Sequence, residues 1–513
     1  MDLSYKNIKV CSWAKKQKNE YTASSDIIVP DTKPDIYRIL CVNASANLEE
    51  QYIRKDKIIY SGTVNYTVLY VGENDKNIIY TIEHTAPFNH QADLTKSPSD
   101  AMCITKCIVA STDYNVKNSR KISAMANIYF DTDTVKYEDI SFLESFEGED
   151  CVPHKIQSIS ADMPVSLKEV EFTVSDTISV PLTEGSEICD FNIRIDSLDA
   201  KTVNNKAILK GTLPAKIFYS LGEELSTYET EFSFTEIIDL DMATVDSSLH
   251  SYFSVTGVSY NLNDTEGEKT IDADITVKGY IKVFEKLESS YVSDAYSPDF
   301  SYNVSKNSFP IETYHNLGEV GLTVKESLPV SENGGGVSRV HYMNVYPSCK
   351  KTECDNSSLK VYGVMSVCVI YSDSEDVLNS VKKDIPFETD LPCSFNEGTS
   401  VFDICVSAQN YNYVLSSSEI QTRTVLKISA AQMCYVSQNL VSDFSEDKAS
   451  PIDKSGQASI TVCYPSDSST LWDYAQKYNT TVSEIASVNG IDEDAPLISG
   501  KPILIPKRKK TSK

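Results

Sequence analysis

Apolar and polar residues alternate along most of this chain. From Ile58 to Tyr70 the run reads Ile58-Ile59-Tyr60-Ser61-Gly62-Thr63-Val64-Asn65-Tyr66-Thr67-Val68-Leu69-Tyr70, which gives one apolar face at the period of a half-buried strand. The stretches Ala207 to Tyr219 and Leu359 to Tyr371 follow the same scheme. Each has a central Gly (Gly62, Gly211, Gly363) and, at the same distance beyond it, a Tyr (Tyr70, Tyr219, Tyr371). A Pro lies upstream of each (Pro30, Pro181, Pro329), a Phe follows (Phe88, Phe234, Phe387), and Tyr-Asn comes later (Tyr114-Asn115, Tyr260-Asn261, Tyr411-Asn412). Landmarks in one order, recurring at roughly 150 residues, make a repeat of domain size rather than a solenoid unit. Gly inside a strand marks a bulge or a close backbone approach. The expectation is a mainly β chain: three related antiparallel domains, sandwich or barrel, at 1–150, 151–295 and 296–436.

The pattern changes after Tyr435. Residues 437–458 are polar and read as a flexible linker. Residues 459–507 then read strand, helix, helix, strand, and 508–513 form a basic tail. Ser459-Ile460-Thr461-Val462-Cys463 alternates, and Leu471, Trp472, Ala475 and Tyr478 recur at helical spacing. Ser468 or Ser469 is placed to cap that helix. Thr481-Val482-Ser483-Glu484 is a capping box that opens a second helix, with Ile485 and Val488 facing inward. Asn489-Gly490 ends it, because both tolerate a left-handed backbone. The expected core of this module is Leu471, Trp472, Ala475, Tyr478, Ile485, Ile503 and Ile505; a large aromatic is what so small a domain needs.

Composition narrows the function. The 513 residues carry 47 basic and 73 acidic side chains, a net charge of −26, which repels nucleic acid. No apolar leader opens the chain and no run is long enough to span a bilayer, so an intracellular location is expected. Thirteen cysteines, an odd number without framework spacing, suit free thiols in a reducing compartment. Cys103 with Cys107 and Cys349 with Cys354 are the close pairs: a strand would hold the first pair about 13 Å apart, too far to share one metal, and the second pair flanks a loop that could bring the two together but has no His or second Cys pair nearby. Gly334-Gly335-Gly336 lacks the Lys-Ser/Thr of a phosphate loop. The six His residues are scattered at 84, 90, 154, 250, 315 and 341. No catalytic residue, metal or cofactor is expected.

Two stretches resemble known families. Pro30-Asp31-Thr32-Lys33-Pro34-Asp35-Ile36-Tyr37-Arg38-Ile39-Leu40, followed by Gly62-Thr63-Val64, resembles the SPOCS domain of spore proteins. The second and third copies match it more weakly and lack the Pro-Asp-Ile segment. Thr470-Leu471-Trp472, Ala475, Tyr478, Val482, Ile485, Asn489, Gly500 and Ile503-Leu504-Ile505-Pro506 resemble a LysM domain. That resemblance implies a binding groove between two loops, here Asp467, Ser468, Ser469 and Thr470 on one side and Asn489, Gly490, Ile491 and Asp492 on the other. Most members read Gly-Asp-Thr-Leu where this chain has Ser468-Ser469-Thr470-Leu471, so the Gly that lets backbone approach a sugar is missing. Together the resemblances imply a SipL-type spore-coat morphogenetic protein. Such a protein is a scaffold of the mother-cell cytoplasm, recruited to the forespore surface. Its implied partners are the ATPase of the coat basement layer and other coat proteins. The alternative is a protein of the cell wall or cortex that binds peptidoglycan through N-acetylglucosamine.

Overall fold

The computed structural model describes residues 2–508 except 74, 76, 95–99, 148–151, 266–267, 331–335, 356, 394–398, 417–418 and 467. The first repeat is built from β1 (Asp2–Ile28), β2 (Ile36–Arg54), β3 (Lys57–Gly72), β4 (Ile79–Asp93), β5 (Met102–Asn118) and β6 (Lys121–Glu147). They pair antiparallel as two sheets, β2-β3-β4 and β1-β6-β5. Tyr66 and Val68 of one sheet share a core with Ile122, Ala126 and Ile128 of the other, so the repeat is a sandwich. The second repeat comprises β7 (His154–Val180), β8 (Ser186–Ile193), β9 (Ser197–Thr202), β10 (Lys206–Leu221), β11 (Glu224–Asp239), β12 (Ser248–Thr265) and β13 (Glu268–Ala295). Its sheets are β8 and β9 beside β10-β11, and β7-β13-β12. In the third, β14 (Phe300–Pro329), β15 (Val337–Cys354), β16 (Ser358–Asp373), β17 (Leu378–Pro392), β18 (Thr399–Leu415) and β19 (Glu419–Pro451) repeat the plan as β15-β16-β17 and β14-β19-β18.

Register explains the landmarks. Gly62 lies opposite Phe88, Gly211 opposite Phe234 and Gly363 opposite Phe387. At Gly62 and Gly363 the Phe ring lies where a side chain would stand. A Cβ at Gly62 or Gly363 would overlap the backbone oxygen of Asn47 or Ser348 as well as the facing ring. The Gly is therefore a close approach, not a bulge. The Pro-Asp-x-x-Pro-Asp-Ile segment is fixed by Arg120, which donates to Asp35 Oδ1 at 2.6 Å and to the carbonyls of Val29 and Pro30. Ser119 Oγ donates to the other Asp35 oxygen at 2.8 Å. These bonds, Arg120 first, hold the Asp35 carboxyl below the usual carboxylate range.

The repeats close into a ring. β4 packs on β8, β11 on β15, and β17 on β2. Leu69, Phe218 and Ile370, each immediately before its landmark Tyr, meet in one fully buried cluster. The first and last strands of each repeat run on beyond the sandwiches as ribbons. Val10, Ile140, Ile159, Tyr291, Ile311 and Leu440, one from each of β1, β6, β7, β13, β14 and β19, pack together as a stem. This corrects the expected linker. Residues 437–451 continue β19, paired with β14, and the third repeat reaches past 436 to Pro451. Polar Ser437, Gln438, Asn439 and Asp443 dominate the composition there, but Leu440, Val441 and Phe444 are buried in the stem.

Two polar layers cross the ring. In one, Asp403 of β18 meets Lys106 Nζ at 2.6 Å, Lys16 Nζ at 2.9 Å and His250 Nε2 at 2.6 Å, from β5, β1 and β12. Lys282 of β13 pairs with Asp133 of β6 alongside. Burial alone would raise the Asp403 carboxyl, but Lys106 and Lys16, with His250, outweigh it and hold it well below the usual range. Burial pushes the His250 imidazole down despite Asp403. In the other layer Asn344 donates to Asn43 at 2.8 Å, Asn43 to the Tyr342 hydroxyl at 2.8 Å, and Tyr342 to Asp190 Oδ2 at 2.6 Å. Each layer joins all three repeats. No helix among the described residues is long and apolar enough to cross a membrane.

Candidate functional site

The C-terminal module consists of β20 (Ile460–Cys463), α1 (Leu471–Lys477), α2 (Val482–Asn489) and β21 (Ile503–Pro506), with β20 and β21 paired antiparallel. Both helices are too short to hold themselves and depend on caps and packing. The N-cap of α1 is Thr470, in a reciprocal capping box with Asp473. This corrects the expectation of Ser468 or Ser469, because Thr470 alone has an acidic residue at the reciprocal position. Thr481 and Glu484 form the same device on α2, which ends in Gly490 with a left-handed backbone at φ 62°. Leu471, Trp472, Ala475, Ile485, Ile503 and Ile505 are buried together, with Tyr478 half-buried against them. Val488, expected inward, is exposed, because the inner face of α2 is formed by Ile485 and Ala486.

The module is seated on the stem. Trp472 is buried, and its Nε1–H donates to Asp294 Oδ2, at the end of β13, at 2.7 Å. Tyr296 stands edge-on to the indole, centroids 4.9 Å apart at 82°, and its hydroxyl donates to the Thr480 carbonyl at 2.8 Å. Lys155 Nζ lies 4.9 Å above the Trp472 ring. Arg508, beyond β21, reaches Asp299 at 3.2 Å, and Lys454 meets the same carboxylate at 2.9 Å. Tyr296 is fully buried and belongs to the same apolar cluster as the module's core.

This ring of sandwiches with a seated βααβ module can be set beside known families. Residues 35–117 and 186–263 match the family described as SipL, SPOCS domain, and residues 467–506 match the LysM domain. The chain carries SipL-type SPOCS domains and a LysM domain. That combination is consistent with a SipL-type spore-coat protein. No curated protein and no solved structure matches the chain. The second SPOCS stretch is matched although it lacks the Pro-Asp-Ile segment, and the third repeat shares the strand order of both.

The LysM loops divide into residues tied up within the module and residues open to a partner. Asn489 Nδ2 donates to the carbonyls of Ile485 and Leu504 at 2.8 and 2.6 Å, and its Oδ1 accepts from Leu504 N–H at 2.8 Å. It ties α2 to β21. Thr470 is spent on its cap, and Ser469 Oγ lies 2.6 Å from Ser466 Oγ. The half-buried Ile491 donates its N–H to Ala486. Asp492 accepts from Ala495 N–H through its carbonyl. Ser468, Gly490 and Asp492 remain exposed. Asp467 lies outside the described residues. Among those described, no group of three or more side chains is arranged to hold a metal.

Sequence reasoning missed two features. The first is the seat itself, since Asp294, Tyr296 and Trp472 are far apart in the chain; the available signal was that a buried indole N–H needs an acceptor. The second is an apolar outer face on the LysM sheet. Ile460, Val462 and Tyr464 are 52%, 54% and 68% exposed. Ile460 and Val462 pair with the half-buried Pro506 and Leu504, and Ile498 nearby in the module is also exposed. The alternation was visible in the sequence, but it did not say that Thr461 and Cys463 would face the core. Clustered exposed apolar side chains mark interaction surfaces.

Proposed function

We propose that this protein is a non-enzymatic scaffold of spore-coat assembly. It works in the mother-cell cytoplasm, binds the ATPase of the coat basement layer at the forespore surface and helps localise other coat proteins. The observation that carries this reading is the LysM surface. Its most ligand-like loop groups, Thr470 and Asn489, are spent on caps and ties, while Ile460, Val462 and Tyr464 stand exposed on the sheet. An apolar face favours a protein partner over a hydrated glycan. The ring and stem hold this face at a fixed place on the molecule, so partners gathered by the SPOCS repeats and by LysM are brought together in a set geometry.

A second reading is supported by the exposed Ser468, Gly490 and Asp492 in the LysM loops: peptidoglycan binding at the cortex or wall. The test uses the full chain, because the LysM core includes Tyr296 of the body. The full chain is titrated against the purified basement-layer ATPase and against soluble peptidoglycan fragments, with Val462→Asp as the variant. Val462 is exposed, so the fold should be retained. Saturable ATPase binding, weakened tenfold or more by Val462→Asp and absent for glycan, supports the scaffold. Glycan binding unchanged by the variant, with no ATPase binding, supports the second reading.

A further inference from the structure

Two of the thirteen cysteines meet in the third repeat. Cys354 closes β15, Cys393 directly follows β17, and their Sγ atoms lie 3.3 Å apart across the start of β16. Cys349, the nearer cysteine in sequence, instead points its thiol to the Lys351 carbonyl at 3.9 Å. The same corner exists in every repeat. Cys393 donates its N–H to Ser357 as Leu94 does to Asp56 and Leu240 to Asn205, and all three side chains are buried. Cys354 pairs with Leu359 as Ile53 does with Ile58 and Thr202 with Ala207. The first repeat fills the corner with Ile53 and Leu94, the second with Thr202 and Leu240, and the third with two thiols. Burial, then the neighbouring Cys354, pushes the Cys393 thiol up to about 11. Cys393 is buried and Cys354 is half-buried beside the exposed Asp355, which makes Cys354 the more accessible sulfur.

We infer that Cys354 and Cys393 are a redox site, closed by a peroxide into a disulfide that staples the end of β15 to the end of β17. The Cys354 sulfur attacks hydrogen peroxide; the O–O bond breaks, one water leaves and a sulfenic acid forms. The Cys393 sulfur then attacks the sulfenic sulfur, the S–O bond breaks and a second water leaves. The two thiols lose two electrons and two protons, and one peroxide becomes two waters. The sulfurs close from 3.3 Å to a bond of about 2.05 Å, a shift within reach of side-chain rotation. The first and second repeats have no sulfur at this corner, so the staple is peculiar to the third.

The full chain treated with hydrogen peroxide, alkylated, digested and mapped by mass spectrometry tests this. The expected result is a linked Cys354–Cys393 peptide pair that forms at least tenfold faster than any other cysteine link and is removed by dithiothreitol. In Cys354→Ser the link is lost and Cys393 stays reduced. In Cys393→Ser the sulfenic acid on Cys354 persists and is trapped by dimedone. Cys354 is half-buried, so its serine variant keeps the test valid if the Cys393 variant folds poorly. Preferential linking of Cys354 to Cys349, oxidation of Cys354 to sulfinic acid without a link, or a link no faster than the others would overturn the inference.

Discussion

Two buried carboxylates hold the three repeats together, and they do so by opposite physics. Asp403 is surrounded by cations, Lys106 and Lys16, with His250 against its second oxygen. Asp190 is met by neutral donors, the Tyr342 hydroxyl and Asn43 behind it. The first carboxyl is held well below its ordinary range because the lysines outweigh burial. The second is pushed up to about 6 because burial outweighs the hydrogen bonds of Tyr342 and Asn43. A junction of repeats does not need charge to be buried stably. It needs every buried group to be answered, and a carboxylate answered only by neutral donors remains a cost above its pKa.

The largest effect tests the cationic side. Asp403→Ala leaves Lys106 and Lys16 facing each other without their shared carboxylate. Losing one partner of a buried pair costs about 3–5 kcal/mol. Urea unfolding at pH 7 should show that loss, and a loss below about 1 kcal/mol would mean that Asp403 does not clamp the repeats. The same contact sets an acid limit. A carboxyl lowered on folding contributes stability that is present above its unfolded pKa and is lost as pH falls through the folded value. Unfolding midpoints of the native chain should therefore drop below about pH 4, and the Asp403→Ala chain should show less of that drop.

The neutral side predicts the reverse sign. Asp190 has its pKa raised from 3.8 to about 6, so the folded state binds its proton more tightly and is penalised once pH rises through that window. About two pKa units correspond to roughly 3 kcal/mol. Asp190→Asn keeps an acceptor for Tyr342 and removes the charge. It should stabilise the protein by up to about 3 kcal/mol at pH 8 and by little at pH 4. Destabilisation at pH 8 would show that the ionised carboxylate is needed in the junction.

Neither carboxylate could be sorted from the sequence. Asp403 sits in the alternation Val401-Phe402-Asp403-Ile404 as an ordinary outward residue, and its partners come from the other two repeats. Alternation reports which residues leave one sandwich core and is blind to what another repeat places against them. The same limit hid the stem: a mean over residues 437–458 reads polar, while Leu440, Val441 and Phe444 face neighbouring ribbons. What sequence showed well was local or repeated. The capping box from Thr481 to Glu484 and the turn at Gly490 are set by residues in contact along one helix. The Gly–Phe spacing recurs because each Gly faces a Phe across the same hairpin, with the ring against the Gly at Gly62 and Gly363, although register was needed to see why.

Asp294 lies between the two cases, and it carries the LysM seat. One oxygen meets Lys306 Nζ at 2.7 Å and the other accepts the Trp472 indole N–H at 2.7 Å. Its side chain is 19% exposed and that of Lys306 42%, so the ion pair is screened and contributes about 0–1 kcal/mol. The indole is buried, and leaving its N–H without an acceptor costs about 1–3 kcal/mol. Asp294→Asn keeps the acceptor and should change stability by less than about 1 kcal/mol. Asp294→Ala should cost more than the Asn variant and should raise hydrogen exchange in α1 specifically. If the two variants lose the same amount, the cation rather than the indole governs this carboxylate, and the seat resembles the Asp403 cluster. If only Ala weakens it, a carboxylate at the seam acts as a hydrogen-bond acceptor for the module, as Asp190 does within the ring.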